Sequence, residues 1–191
     1  MTATADVVFL SGLDTFGSVV DRMPSSAWSA PSPCDGWTAL DVLGHLGSAI
    51  GFGAAILDGR TYDWPAYNRP SDLVTGDPPV YWAAIADPAR TAVDGVDLSA
   101  TRETPMGVRT VAEGLAFPAV DLYVHAWDIG RSGGIEVDVP ADVVAFAHAH
   151  IDPIPEEMMR GAKGAFGPAI EPPPDATPTE TFIAWTGRDP R

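Results

Sequence analysis

The sequence predicts an all-α protein, a helical bundle built as a single domain. Apolar residues in Asp6–Met23 recur at intervals of three and four, which is the period of an amphipathic helix. Two capping boxes, in which a threonine precedes an acidic residue by three positions, open further helices at Thr38–Asp41 and Thr110–Glu113. A chain of 191 residues suits one such domain and can bury a core without disulfides.

The first two helices are separated by a loop. The first is expected over Asp6–Met23 and ends before Pro24, because proline cannot continue a helix. Prolines and a glycine predict a loop over Trp28–Trp37. The second helix extends from Thr38 to about Leu57, and its glycines lower its intrinsic stability, so we expect close packing against a neighbour to compensate. These glycines are Gly44, Gly47, Gly51 and Gly53.

A long polar loop leads to the third and fourth helices. The third is predicted over Pro79–Val93, with proline in its first turn. A short extended excursion or hairpin follows over Ala100–Val108. The fourth helix extends from Thr110 to about Gly130, and Pro118 inside it predicts a kink.

The C-terminal part is predicted as a fifth helix over Ala141–Ile151, an extended arm containing Pro172–Pro174, and a short last helix over Pro178–Trp185. We place the metal-binding bundle described below in residues 1–160 and the arm in residues 161–191, packed on the same domain.

Composition excludes several classes of function. A formal net charge of −15 argues against nucleic acid and anionic membrane as partners. The longest weakly polar run, Val42–Leu57, is shorter than a membrane span and contains His45. Met1–Phe9 has no basic residue, so it is not a signal peptide. With Cys34 as its single cysteine, the chain is expected to be soluble and cytoplasmic.

Three polar residues on apolar helices form a candidate metal site. Asp121 and His125 are four positions apart and share one face of the fourth helix, where a carboxylate and an imidazole can bind one cation. His45 completes the set if the second and fourth helices are neighbours, as in other bundles with a metal in the core. From the pattern alone, the alternative stays open that His45 is a core histidine and the pair is fortuitous.

Four segments of the chain resemble one known family. They are Trp28–Leu46, Asp121–Gly133, Phe166–Pro168 and Gly187–Pro190, and the first two are the specific ones. In this order they are similar to the mycothiol-dependent maleylpyruvate isomerase-type domain of the DinB-like superfamily, whose members are actinobacterial metal-binding proteins. The resemblance implies a DinB-like four-helix bundle, here with a short hairpin excursion and an extended C-terminal arm.

The resemblance also implies a ligand set and a cofactor. By this resemblance, the three metal ligands of the family correspond to His45, Asp121 and His125. Zinc is the expected metal, with nickel or manganese as alternatives. In the isomerase itself the acid resembles a glutamate, whereas this chain has the shorter aspartate. The chain is expected to lack that isomerase's large C-terminal domain, so we do not transfer the isomerase activity as such.

Three functional hypotheses follow from these interpretations. The first is a metal-dependent transferase or isomerase that uses a thiol, mycothiol, on a small electrophile, because a divalent cation activates a thiol as the nucleophile. The alternative is a protein that binds a metal or a small ligand without turnover, in a stress or sensor role. A hydrolase is a third hypothesis, with Asp128 as its acid–base group. A homodimer is expected.

Two polar residues after His125 are candidates for supporting roles. Arg131 is a candidate to bind a substrate carboxylate or the cofactor. Asp128 could orient a ligand from outside the metal's own shell, or could be a solvated or capping acid.

For the other candidates we favour ordinary structural roles. Cys34 is expected to be a small buried apolar residue rather than a nucleophile. His148 and His150 are expected at a surface or an interface, and Trp37 and Trp127 are expected to pack in the core rather than to hold substrate.

Overall fold

The computed structural model describes residues 3–104, 107–160 and 165–191 of the chain. These residues are mostly helical and include one small two-stranded sheet, which confirms the predicted all-α class. Contacts group Thr4–Glu136 into one compact unit and Val137–Arg191 into another. The expected packing of residues 161–191 as an arm on residues 1–160 stays a prediction.

The first unit is a bundle of four helices, α1 (Ala5–Arg22), α2 (Ala39–Asp58), α3 (Pro78–Thr91) and α4 (Val111–Gly133). Both α3 and α4 pack against α1 and α2. Burial of apolar surface between the helices is the main force that holds them together. The largest fully buried side chains in this core include Phe9, Phe16, Leu43, Leu46, Ile50, Leu115, Leu122 and Tyr123.

Both helices that carry the candidate site begin at the predicted capping boxes. Thr38 Oγ1 accepts a hydrogen bond from the Asp41 backbone N–H at the start of α2, and Thr110 Oγ1 does the same for Glu113 at the start of α4. Each of these helices ends in a glycine with a left-handed conformation, which is a common helix terminator.

Close packing explains the glycines of α2, as predicted. A Cβ added at Gly47 would lie 2.8 Å from Cδ1 of Ile85 on α3, and one added at Gly44 would overlap the carbonyl of Pro70. Pro70 begins a short 3-10 helix, Pro70–Leu73, inside the segment predicted as an irregular loop. These glycines therefore lower the helix propensity of α2, but they allow neighbouring elements to pack closely against it.

By length and composition alone, α2 could also cross a membrane. However, 72% of its most apolar window is buried inside the protein. Core helices meet the same criterion, so this feature does not indicate a membrane protein.

The predicted excursion is a hairpin. Strands β1 (Thr101–Thr104) and β2 (Gly107–Thr110) pair antiparallel, with Thr101 opposite Thr110, and both contact α4. Residues 105 and 106, which connect the two strands in sequence, lie outside the described residues. Helix α4 continues through Pro118, and the kink expected there stays a prediction.

The second unit contains α5 (Ala141–Ile151), α6 (Glu156–Met159) and α7 (Pro178–Trp185). The bounds of α5 and α7 agree with the prediction, whereas α6 was not predicted. Within this unit His148 contacts the Trp185 ring at 4.6 Å between centroids and pairs with Asp152 at 3.1 Å.

Candidate functional site

Helix α4 presents Asp121 and His125 on one face. The two residues are one turn apart, and His125 Nε2 lies 3.3 Å from Asp121 Oδ1. Both side chains are buried, with 5% of His125 and 9% of Asp121 exposed. A charged group so deep in the protein needs a partner of opposite charge or a cation.

Helix α2 brings His45 to the same place. Its Nε2 lies 3.5 Å from Asp121 Oδ2, and its ring centroid lies 5.0 Å from that of His125. Unlike the other two residues, His45 has 33% of its side chain exposed. The Trp37 ring packs against it at 5.0 Å between centroids. The site therefore opens towards solvent on the side of His45 and Trp37.

The structure thus brings together all three residues predicted as metal ligands. One ligand atom from each of His45, Asp121 and His125 lies within 4.8 Å of the other two. Two imidazole nitrogens and a carboxylate oxygen are donors that zinc and related divalent metals accept. Their role as ligands stays a prediction.

The charges of Asp121 and His125 stabilise each other. Burial opposes ionisation of Asp121, but the charge of His125 and polar contacts with His125 and His45 outweigh it and hold the Asp121 pKa well below its usual range. Burial likewise favours neutral His125, but Asp121, together with hydrogen bonds that include Asp128, raises the His125 pKa well above its usual value. Each of the two side chains therefore favours the charged form of the other.

Behind His125 lies a second polar group. Asp128 has no exposed surface, and its Oδ2 lies 2.7 Å from His125 Nδ1. The same oxygen accepts a hydrogen bond from Cys34 Sγ at 3.3 Å. Asp128 is thus buried rather than solvated, and Cys34 is half-buried and polar in its contacts, not the buried apolar residue expected. The spacing of Asp128 from His125 indicated its position, but no sequence signal placed Cys34 there.

Helix α2 is anchored just before His45 by a buried carboxylate that sequence analysis identified only as a cap. Asp41 accepts hydrogen bonds from Thr38 in the capping box, from the Arg69 guanidinium and from the Ser71 backbone N–H. Burial alone would raise the Asp41 pKa, but these donors, Arg69 first, hold it well below its usual range. Arg69 also donates to the Gly36 carbonyl, next to Trp37. Sequence analysis missed Arg69, which has no motif around it.

The remaining candidates differ in how close they lie to the cluster of His45, Asp121 and His125. Arg131 is exposed, with its guanidinium 5.5 Å from the centroid of the Trp127 ring, and the described contacts do not join it to the three clustered residues. Trp127 is buried, as expected for core packing, whereas Trp37 is half-buried beside His45. His148 and His150 are both half-buried on α5.

Comparison with known proteins supports the resemblance drawn from the sequence. Residues 9–130 match the family model described as the mycothiol maleylpyruvate isomerase N-terminal domain. This segment contains every residue of the cluster around Asp121 and His125. Two proteins of Mycobacterium tuberculosis, from strains CDC 1551 and H37Rv, are each 26% identical over 182 residues, covering 92% of both chains. Both are named only as uncharacterized proteins.

Solved structures share the fold. The crystal structure of the mycothiol-dependent maleylpyruvate isomerase has a TM-score of 0.58 and 13% identity, covering 74% of this chain and 65% of that one. A histidine-to-alanine mutant of that enzyme has a TM-score of 0.56 with the same identity and coverage. The chain thus spans slightly less than two thirds of the isomerase it matches. The similarity confirms the DinB-like fold.

Proposed function

We propose that this chain, which belongs to the mycothiol maleylpyruvate isomerase N-terminal domain family, is a divalent-metal protein. It would use mycothiol to transform a small electrophile. The reaction would be a thiol transfer or a thiol-assisted isomerisation. One observation carries the proposal: two imidazoles and a carboxylate from two helices converge within 4.8 Å, inside the segment that the family shares.

The residues present fit a divalent cation. His45, Asp121 and His125 would hold it, and three protein ligands leave a position for a further molecule, as in catalytic zinc sites. Burial lowers the His125 pKa, but Asp121 raises it well above its usual value, so a cation would compete with a proton for this histidine. We propose zinc as the metal, with nickel or manganese as alternatives.

When bound, the cation would lower the pKa of a thiol that reaches it and so favour the nucleophilic thiolate. The chain's own residues would place the reactants. Asp121 supplies the negative charge that holds a positive centre inside an apolar core. The exposed side of His45 marks where a small molecule can approach, and the Trp37 ring forms an apolar wall beside that opening.

Metal analysis of the purified protein tests the site. We expect about one equivalent of metal in the wild-type protein and almost none in His125→Ala. His148→Ala is a matched control, because that histidine also pairs with an aspartate one turn away but belongs to the second unit. Equal metal content in wild type and His125→Ala would refute the site.

Turnover tests the reaction. The zinc-loaded protein would be incubated with mycothiol and a panel that contains maleylpyruvate, an epoxide, an alkyl halide and an activated double bond. We expect product from at least one electrophile at a rate that depends on both zinc and mycothiol. Rates equal to those of the metal-free protein across the panel would refute the enzymatic proposal.

One observation favours the alternative, a protein that binds a metal or small ligand without turnover. The chain matches only 65% of the isomerase, so part of that enzyme has no counterpart in the matched region. Saturable binding of mycothiol to the zinc-loaded protein, with no product over hours, would support this alternative.

Three further predictions belong to the same proposal. Arg131 would bind a carboxylate of the thiol or the electrophile, since it is exposed near the C-terminal end of α4. A thiol co-substrate fits a reducing cytoplasm, which cell fractionation would test. A homodimer is expected, and the mass measured by light scattering would test it.

A further inference from the structure

Asp128 is an unusual residue in this core, because it is an aspartate with no exposed surface. Such carboxylates are rare unless they are paired and hydrogen-bonded. Its Oδ2 lies between two donors from different elements, the Nδ1 of His125 on α4 and the Sγ of Cys34 in the loop before α2. This one oxygen therefore connects the loop to the histidine.

The contact with Asp128 determines which ring nitrogen His125 presents to the site. Nδ1 faces Asp128 at 2.7 Å, while Nε2 faces Asp121 at 3.3 Å. With both nitrogens engaged on opposite sides, the ring is held in one orientation. A histidine that binds metal through one nitrogen commonly donates the other to a carboxylate, which raises its basicity.

The loop that carries Cys34 is itself attached to α4. Ser132 Oγ donates to the Pro31 carbonyl at 3.1 Å and to the Asp128 carbonyl at 3.2 Å. Pro31 also pairs with Thr38 in an antiparallel bridge, which closes the loop at its base. The thiol is thus held against Asp128 by the fold.

We propose that Asp128 and Cys34 are positioning residues of the metal centre: Asp128 orients His125 with Nε2 towards the cation, and Cys34 fixes the Asp128 carboxylate. Neither residue would bind the cation or touch substrate. This inference rests on the proposed metal site.

The test measures zinc affinity by competition with a chromophoric chelator, together with the thermal midpoint of the metal-free protein. The variants are Asp128→Asn, Cys34→Ala and Cys34→Ser. Asp152→Asn is the matched control, because Asp152 pairs with His148 at 3.1 Å in the second unit. A purely structural role would change the thermal midpoint but not the affinity of the folded protein.

We expect Asp128→Asn to weaken zinc binding by roughly 10- to 100-fold, which is the usual effect of removing a carboxylate that is hydrogen-bonded to a metal-binding histidine. Cys34→Ala should weaken it by about tenfold, because S–H is a weak donor. Cys34→Ser should restore most of the affinity, since its hydroxyl can donate to Asp128, and Asp152→Asn should have no effect.

The outcomes separate this inference from the function on which it rests. If wild type binds one zinc and His125→Ala none, while Asp128→Asn and Cys34→Ala bind as tightly as wild type, the positioning role is refuted and the metal site stands. If the wild-type protein binds no metal, both the proposed metal site and the positioning role are refuted. In the cobalt-substituted protein, a sulfur-to-cobalt charge-transfer band that is lost in Cys34→Ala would show direct ligation and also overturn the inference.

Discussion

Replacing Asp41 by asparagine tests how the start of α2 is attached to the Pro70–Leu73 turn. The wild-type carboxylate is buried and accepts hydrogen bonds from Thr38, Arg69 and Ser71. Asparagine has nearly the same shape but no charge, and one of its two polar atoms can only donate. The substitution therefore removes the charge while leaving the packing almost unchanged.

The expected loss of stability is about 3 kcal/mol. Weakening of the hydrogen bonds that the Thr38 backbone N–H and hydroxyl donate to the Asp41 carboxylate contributes about 1 kcal/mol. Loss of a charged acceptor from buried hydrogen bonds contributes roughly 2 kcal/mol. This total is at the lower end of the loss of stability expected when a buried ion pair is broken. The reason is that the Arg69 side chain is 55% exposed, so water can solvate it in the variant. For a chain of this size the thermal midpoint should fall by about 6–12 °C.

The dependence on pH provides a second measure. The folded-state pKa of Asp41 lies below its unfolded value, so its contribution is complete above about pH 5 and declines as pH falls through the unfolded value towards the folded one. Chemical denaturation of wild type and Asp41→Asn should therefore give curves that converge in acid. Asp58→Asn, which breaks an exposed pair with Arg60, should change stability by less than about 0.5 kcal/mol. A difference for Asp41→Asn below that limit at neutral pH, or one that does not shrink between about pH 5 and pH 2, would show this account to be wrong.

Three other predictions address packing, pH and substrate. Gly44→Ala should lower the free energy of unfolding by about 1–3 kcal/mol, because the added Cβ overlaps the Pro70 carbonyl; denaturation should show a smaller effect for Gly53→Ala, whose nearest neighbour would be at 3.3 Å. Zinc affinity should rise from about pH 6 to pH 8, because the raised pKa of His125 lets protons compete with the cation; a chelator competition that is flat over this range would contradict the proposed ligand set. Arg131→Gln should raise KM for a carboxylate-bearing substrate and leave kcat unchanged, and equal KM values would remove this residue from the site.

The helices could be predicted because their signals are local. Thr38 and Asp41, like Thr110 and Glu113, form capping boxes within one turn, and the structure has them at the starts of α2 and α4. The position of His125 relative to Asp121 and Asp128 follows from helical geometry alone. For these residues the sequence contains nearly all the necessary information.

Contacts between distant segments could not be predicted in the same way. The pairing of Asp41 with Arg69 spans 28 residues, and that of Cys34 with Asp128 spans 94. Each depends on the path of an irregular loop, which has no periodicity to indicate where its side chains point. The contact of His45 with Asp121 required α2 and α4 to be neighbours, which the resemblance to the family implied and the hydrophobic pattern alone did not.

The contact of Gly44 with Pro70 has a consequence for the residue that follows it. Since a backbone carbonyl occupies the space where a side chain would be, α2 cannot slide or rotate against the Pro70–Leu73 turn without collision. The position of the His45 backbone is therefore constrained by the main-chain contact of the residue before it. A centre preorganised in this way would lose little conformational entropy when it captures its ligand.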